Sequence, residues 1–91
     1  MAYTPVRTNK FERDIKRCKK RGKKMEKLAS IIRILVSGQP IPAKHRDHAL
    51  VGNYAERREC HIEPDWLLVY QIDADENRIT FERTGSHSDL F

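Results

Sequence analysis

Residues 59–73 read ECHIEPDWLLVYQID, and the fold turns on how this stretch is read. Trp66 to Ile72 is a nearly continuous apolar run whose alternate residues, Trp66, Leu68, Tyr70 and Ile72 against Leu67 and Val69, supply two apolar faces. That pattern predicts a central strand buried on both sides. What leads into it is unlike a buried strand, because His61, Glu63 and Asp65 put an imidazole and two carboxylates beside a future core. Glu63-Pro64-Asp65 has turn composition, Tyr54 to Ile62 alternates before it, and Arg78 to Arg83 alternates around Ile79 and Phe81 after a turn at Asp73 to Asn77. With connections this short, the second half is expected to be an antiparallel meander.

Upstream, the period becomes helical. Phe11, Ile15 and Cys18 recur at intervals of four and three over residues 8–21, and Gly22 is expected to end or bend that helix. Met25, Leu28, Ile31, Ile32, Leu35 and Val36 repeat the spacing until Ser37-Gly38, with Pro40 and Pro42 preventing continuation. Tyr3 to Arg7 is short, and Pro5 confines it to a sheet edge. The expected architecture is α+β, in the order β-α-α-β-β-β, with a two-helix hairpin packed on a small antiparallel sheet.

The chain has 91 residues with 38% hydrophobic content, enough for one modest core, so residues 1–91 are expected to form a single domain. Cys18 and Cys60 stand in no CxxC or CxxxH pattern, which predicts free thiols in a reducing compartment. No apolar stretch has the length of a membrane span or a signal segment, and a cytoplasmic location is expected. The charge is unevenly distributed. Residues 1–46 carry 14 Lys and Arg against 3 Asp and Glu, or +11, whereas residues 47–91 carry 4 against 10, or −6. The basic cluster at 10–27, with Lys16, Lys19, Lys20 and Lys23 among its members, has the composition of a polyanion-binding surface and equally that of a solvated helical face.

Chemistry is expected at one rim of the meander. Antiparallel strands return alternate ends to the same edge, which brings His61, Asp65, Arg83 and His87 together; His48 joins them only if the proline-containing link curls back. Imidazoles exchange protons near neutral pH, and an arginine fork suits a phosphate whose charge grows in a transition state. Such a set fits cleavage of RNA through its own 2′-hydroxyl, without a metal or other cofactor. Taken singly, each residue also has a plainer reading: Arg83 as an ion-pair partner, His61 as a polar-face residue, Asp65 as a turn former. Cys60 and His61 are adjacent in a strand and point to opposite faces, so they are not expected to share a zinc ion. Trp66 and Phe91 suit the core, or a rim position stacked on a base.

The ordered set DHALVGNY (47–54), HIEPDW (61–66), FERTGSH (81–87) and LF (90–91) resembles the YafQ-type toxins of the RelE superfamily, over Arg46 to Phe91. The resemblance implies a small α+β ribonuclease, the toxin of a type II toxin–antitoxin module, which cuts messenger RNA in the A site of the 70S ribosome. On that basis the functional positions are His48, His61, Asp65, Trp66, Arg83, His87 and Phe91. His87 and Asp65 are assigned to proton transfer, His48 and His61 to sharing or supporting it, Arg83 to the phosphorane charge, and Trp66 and Phe91 to the nucleotide pocket. The basic helices then face ribosomal RNA. The implied partner is a ribbon-helix-helix antitoxin, forming a toxin–antitoxin heterotetramer that binds operator DNA only through the antitoxin. Two rivals stand beside this reading: a ParE-like noncatalytic toxin that inhibits DNA gyrase, against which the histidines argue, and a noncatalytic RNA-binding module that needs only the basic helices.

Overall fold

The computed structural model describes residues 2–52 and 56–91. Its elements are β1 (Thr4–Arg7), α1 (Asn9–Lys20), α2 (Met25–Val36), a 3-10 turn (Ala43–His45), β2 (His48–Ala49), β3 (Arg58–Glu63), β4 (Trp66–Asp73), β5 (Arg78–Gly85) and α3 (His87–Leu90). The expected β-α-α-β-β-β order holds for β1, α1, α2, β3, β4 and β5, with β2 and α3 as additions to it. Among the described residues, no helix is long and apolar enough to cross a membrane.

Local chemistry accounts for the helix ends. Thr8 caps α1, its hydroxyl accepting from the Phe11 amide and donating to the Glu82 carbonyl, so the cap also ties helix to sheet. Gly22 follows α1 with φ of +76°, a left-handed conformation that glycine adopts without a Cβ clash. Phe11 and Cys18 of α1 and Leu28, Ile31 and Leu35 of α2 are buried against Cys60, Ile62, Trp66, Leu68, Tyr70, Ile79 and Phe81. Both cysteines are free and buried, and burial pushes the Cys60 thiol up to about 12.

The five strands lie in the order β1-β5-β4-β3-β2. The sheet is mixed, and here the structure departs from the antiparallel sheet expected: β1 pairs parallel to β5, while the other three pairings are antiparallel. Two helices separate β1 from the meander, a crossover long enough to bring it back in parallel. Pro5 lies on that edge as expected. The strand expected from residue 54 begins at Arg58; residues 54 and 55 lie outside those described. β2, the 3-10 turn and α3 are too short to leave a periodic signal.

β4 is covered on both faces. Trp66, Leu68 and Tyr70 face the helices, and Leu67 and Val69 form a second small cluster with Leu90 on the outer face, flanked by Leu50. Asp47 pins the link after α2, accepting from the Tyr70 hydroxyl at 2.7 Å and from Arg58 Nε at 3.3 Å. His48 follows that anchor directly, so the link does curl back.

Candidate active site

The site is set by register on the outer face of the sheet. His48 pairs with Glu59, Glu59 with Val69, and Val69 with Arg83, so one rung across four strands carries His48, Glu59, Val69 and Arg83. The next rung of the same face carries His61, Leu67 and Gly85. A bulge in β5 decides which residue joins the first rung. Tyr70 pairs with Phe81 but Val69 with Arg83, so Glu82 is skipped in the register. Unbulged pairing would align Glu82 with Val69 and put a carboxylate where the arginine now stands.

Three imidazoles form a row. Ring centroids are 6.2 Å apart for His48 and His61, and 5.9 Å apart for His61 and His87. Each Nδ1 is opposite a fixed acceptor: the Arg46 carbonyl for His48 at 2.7 Å, the Pro64 carbonyl for His61 at 3.2 Å, and Asp65 Oδ1 for His87 at 2.7 Å. Acceptors require Nδ1 to be the donor, so Nε2 is the nitrogen each ring presents for chemistry. Asp65 also accepts from the His87 backbone amide at 2.9 Å, and these bonds hold its carboxyl below the usual carboxylate range.

Two residues outside the expected set complete the row. Glu59 is buried and lies between two rings, Oε2 at 3.4 Å from His48 Nε2 and Oε1 at 3.9 Å from His61 Nε2. His45 donates from Nδ1 to the His61 carbonyl at 2.8 Å. An acid two residues before His61, and so on the same face of β3, was the available signal for Glu59, but only the pairing with β2 gives it a histidine on each side. The His48 and His87 side chains are about half exposed, at 49% and 56%, so the row is an open surface rather than a closed pocket. His61 also lines an apolar groove of about 530 Å³ against Ile31, Ile34 and Pro42.

Arg83 stands on the rung of His48 and Glu59, and its guanidinium reaches Asp14 of α1, with Nε at 2.7 Å from Oδ2 and Nη2 at 3.2 Å from Oδ1. His87 begins α3, where Ser86 and Asp89 cap each other's backbone amides. Arg21 donates to both Asp89 oxygens and, with the Ser86 amide, holds that carboxyl far below its ordinary value. Trp66 is fully buried, and its indole N–H donates to Thr84 Oγ1 at 3.0 Å. It therefore has no face on which a base could stack. Phe91 is 58% exposed. Lys16, Lys19 and Lys20 are exposed on α1, whereas Lys23 lies 3.6 Å from Glu63 and 5.6 Å from the centre of the Trp66 ring. No group of three or more His, Cys, Asp or Glu among the described residues is arranged to hold a metal ion.

Comparison with known proteins follows the same lines. A family model described as the bacterial toxin of type II toxin–antitoxin systems, YafQ, matches residues 3–91. The mRNA interferase toxin YafQ of Escherichia coli K12 is 38% identical over 85 residues, covering 92% of this chain and 90% of its own. In the crystal structure of the E. coli DinJ–YafQ toxin–antitoxin complex, a chain 35% identical superimposes with a TM-score of 0.91, covering 100% of this chain and 99% of that one. A metal-bound toxin from Helicobacter pylori, 42% identical, also gives 0.91 with complete coverage of both chains.

Proposed function

The chain belongs to the YafQ family of bacterial toxins of type II toxin–antitoxin systems, and from that premise we propose that it is an mRNA interferase acting in the ribosomal A site. The observation that carries the reading is the histidine row, with the Glu59 carboxylate beside Nε2 of His48 and His61 at one end and Asp65 behind His87 at the other. Neighbouring rings about 6 Å apart are close enough for one to take a proton and the next to give one at a single phosphodiester.

In this scheme His61 or His48, with the Glu59 carboxylate beside it favouring the imidazolium that forms, takes the 2′-hydroxyl proton. The 2′-oxygen attacks phosphorus, and the bond to the 5′-oxygen breaks as His87 gives that oxygen a proton from Nε2. A 2′,3′-cyclic phosphate and a 5′-hydroxyl result. Asp65 keeps His87 oriented, Arg83 offsets the charge growing on the phosphoryl oxygens, and Phe91 flanks the nucleotide. No metal takes part in these steps, so cleavage is expected to survive a chelator when ribosomes are held intact by other means.

Exposure of the row supports dependence on the ribosome. Donors aimed at a developing charge act weakly in contact with water and strongly once water is excluded. A second surface laid over His48 and His87 supplies that exclusion, and the exposed lysines of α1 suit a surface rich in phosphate. The same cations suit an acidic segment of a ribbon-helix-helix antitoxin, as a toxin–antitoxin heterotetramer would provide. A ParE-like gyrase inhibitor has no use for the histidine row, which is why the nuclease is preferred.

Primer-extension mapping of a defined mRNA, with and without translating ribosomes, tests the proposal. Cuts in phase with the A site, present only with ribosomes, are expected. Cuts on free RNA would remove the A-site mechanism, and no cuts in either sample would favour gyrase inhibition.

A further inference from the structure

The first helix carries an acid where its stripe calls for an apolar residue. Asp14 lies between Phe11 and Cys18 on the buried face of α1 and is only 2% exposed. Burying a carboxylate is unfavourable unless its oxygens are fully used. Here they are. Oδ2 accepts from Arg83 Nε at 2.7 Å and from the Thr84 amide at 3.0 Å, and Oδ1 accepts from Arg17 Nη2 at 2.7 Å and Arg83 Nη2 at 3.2 Å.

The network extends to the other end of the histidine row. Arg17 Nε lies 3.7 Å from Asp89 Oδ2, and Arg21 binds the same carboxylate, which caps the turn that begins with His87. Gly85 lets this turn sit close, because a Cβ there would stand 2.9 Å from Asp89 Oδ2 and 3.2 Å from Arg17 Nη2. Three guanidinium groups and two carboxylates thus form one continuous chain of ion pairs from β5 to α3.

We propose that Asp14 is a positioning residue: it holds the Arg83 fork in a fixed orientation beside the histidine row and, through Arg17 and Asp89, couples α1 to the His87 turn. The role rests on the nuclease reading above. An arginine side chain left to itself samples many rotamers, and a displacement of about 1 Å in a charge-stabilising group can reduce a rate by about 100-fold. The effect belongs to kcat, because a fork aimed at transition-state charge adds little to binding of the ground state.

The test is single-turnover cleavage on programmed ribosomes by Asp14→Asn, Arg83→Ala, the double variant and His87→Ala, with thermal unfolding of each. Asp14→Asn is expected to lower the rate constant by about 10- to 100-fold with KM nearly unchanged, and to have no further effect once Arg83 is alanine. An equal loss in both backgrounds would mark Asp14 as merely structural and overturn the proposal. Wild-type cleavage by Asp14→Asn alongside an inactive His87→Ala would overturn the positioning role alone. Wild-type cleavage by His87→Ala would overturn the nuclease reading and the role with it. Should Asp14→Asn fail to fold, nitrogen-15 spectra of the unaltered protein decide: a slowly exchanging Arg83 Nε–H is expected, and exchange as fast as in free arginine would overturn the proposal.

Discussion

Each histidine of the row has Nδ1 tied to a fixed acceptor, and Nε2 is open at His87 and beside Glu59 at His48 and His61. His87→Ala is therefore expected to lower cleavage at least about 100-fold, the usual contribution of a positioned acid or base, while antitoxin binding measured by calorimetry stays near that of the unaltered chain. Cleavage is expected to follow a bell-shaped pH profile, since one imidazole has to accept a proton and another to donate one. Glu59→Gln keeps the shape beside His48 and His61 but removes the charge, so it is expected to move one limb of that profile. Trp66 belongs to a different class of residue. Trp66→Phe leaves Thr84 Oγ1 without its buried donor and is expected to destabilise the protein by about 1–3 kcal/mol, read by urea unfolding.

Among the elements, α3 is held by its cap together with Leu90, which packs on Leu67 and Val69. It has four residues, and Ser86 with Asp89 provides the reciprocal bonds that hold His87 in place. Ser86→Ala is expected to cost about 1 kcal/mol of local stability and to lower cleavage through misplacement of His87, with little change in global unfolding. The cap is also sensitive to acid. Asp65 and Asp89 both have carboxyls held below their ordinary value, so the stability they contribute is present above the usual carboxylate range and is lost as pH falls through their lowered folded values. Protection factors of the α3 amides, corrected for intrinsic exchange, are expected to fall as pH drops below the usual carboxylate range, and less so in Asp89→Asn, which no longer has this proton linkage.

On the scale of the whole molecule, charge is divided between sequence halves, +11 over residues 1–46 and −6 over 47–91. The fold keeps much of the basic share on the exposed side of α1, whose other side anchors Arg83 through Asp14. Reversing Lys16, Lys19 and Lys20 to Glu is expected to weaken ribosome association and flatten its salt dependence, by up to about 0.7–0.9 in log–log slope for each phosphate that is no longer neutralised. Thermal stability should hardly change, since exposed charges on a helix contribute little. Cosedimentation across a salt series measures this, and an unchanged slope would place RNA binding elsewhere on the molecule.

Local information in the chain was sufficient for the longer elements, their order and the core, and insufficient for β2, the 3-10 turn and α3. Helix stripes, the apolar run at Trp66 to Ile72 and the turn residues are short-range patterns, and the segments they predict form nearly as expected. The family was legible too, because its motifs are contiguous and ordered along residues 47–91. What tertiary structure alone decided is who stands beside whom. A two-residue strand places His48 against Glu59, and the one-residue bulge at Glu82 brings Arg83 to the same rung. The parallel return of β1 and the burial of Asp14 against Arg83 join residues 69 positions or more apart. None of these has a periodic signature. Register and bulges are settled by the summed packing of the sheet, in which a slip of one residue exchanges its two faces, and that balance cannot be read from any single segment.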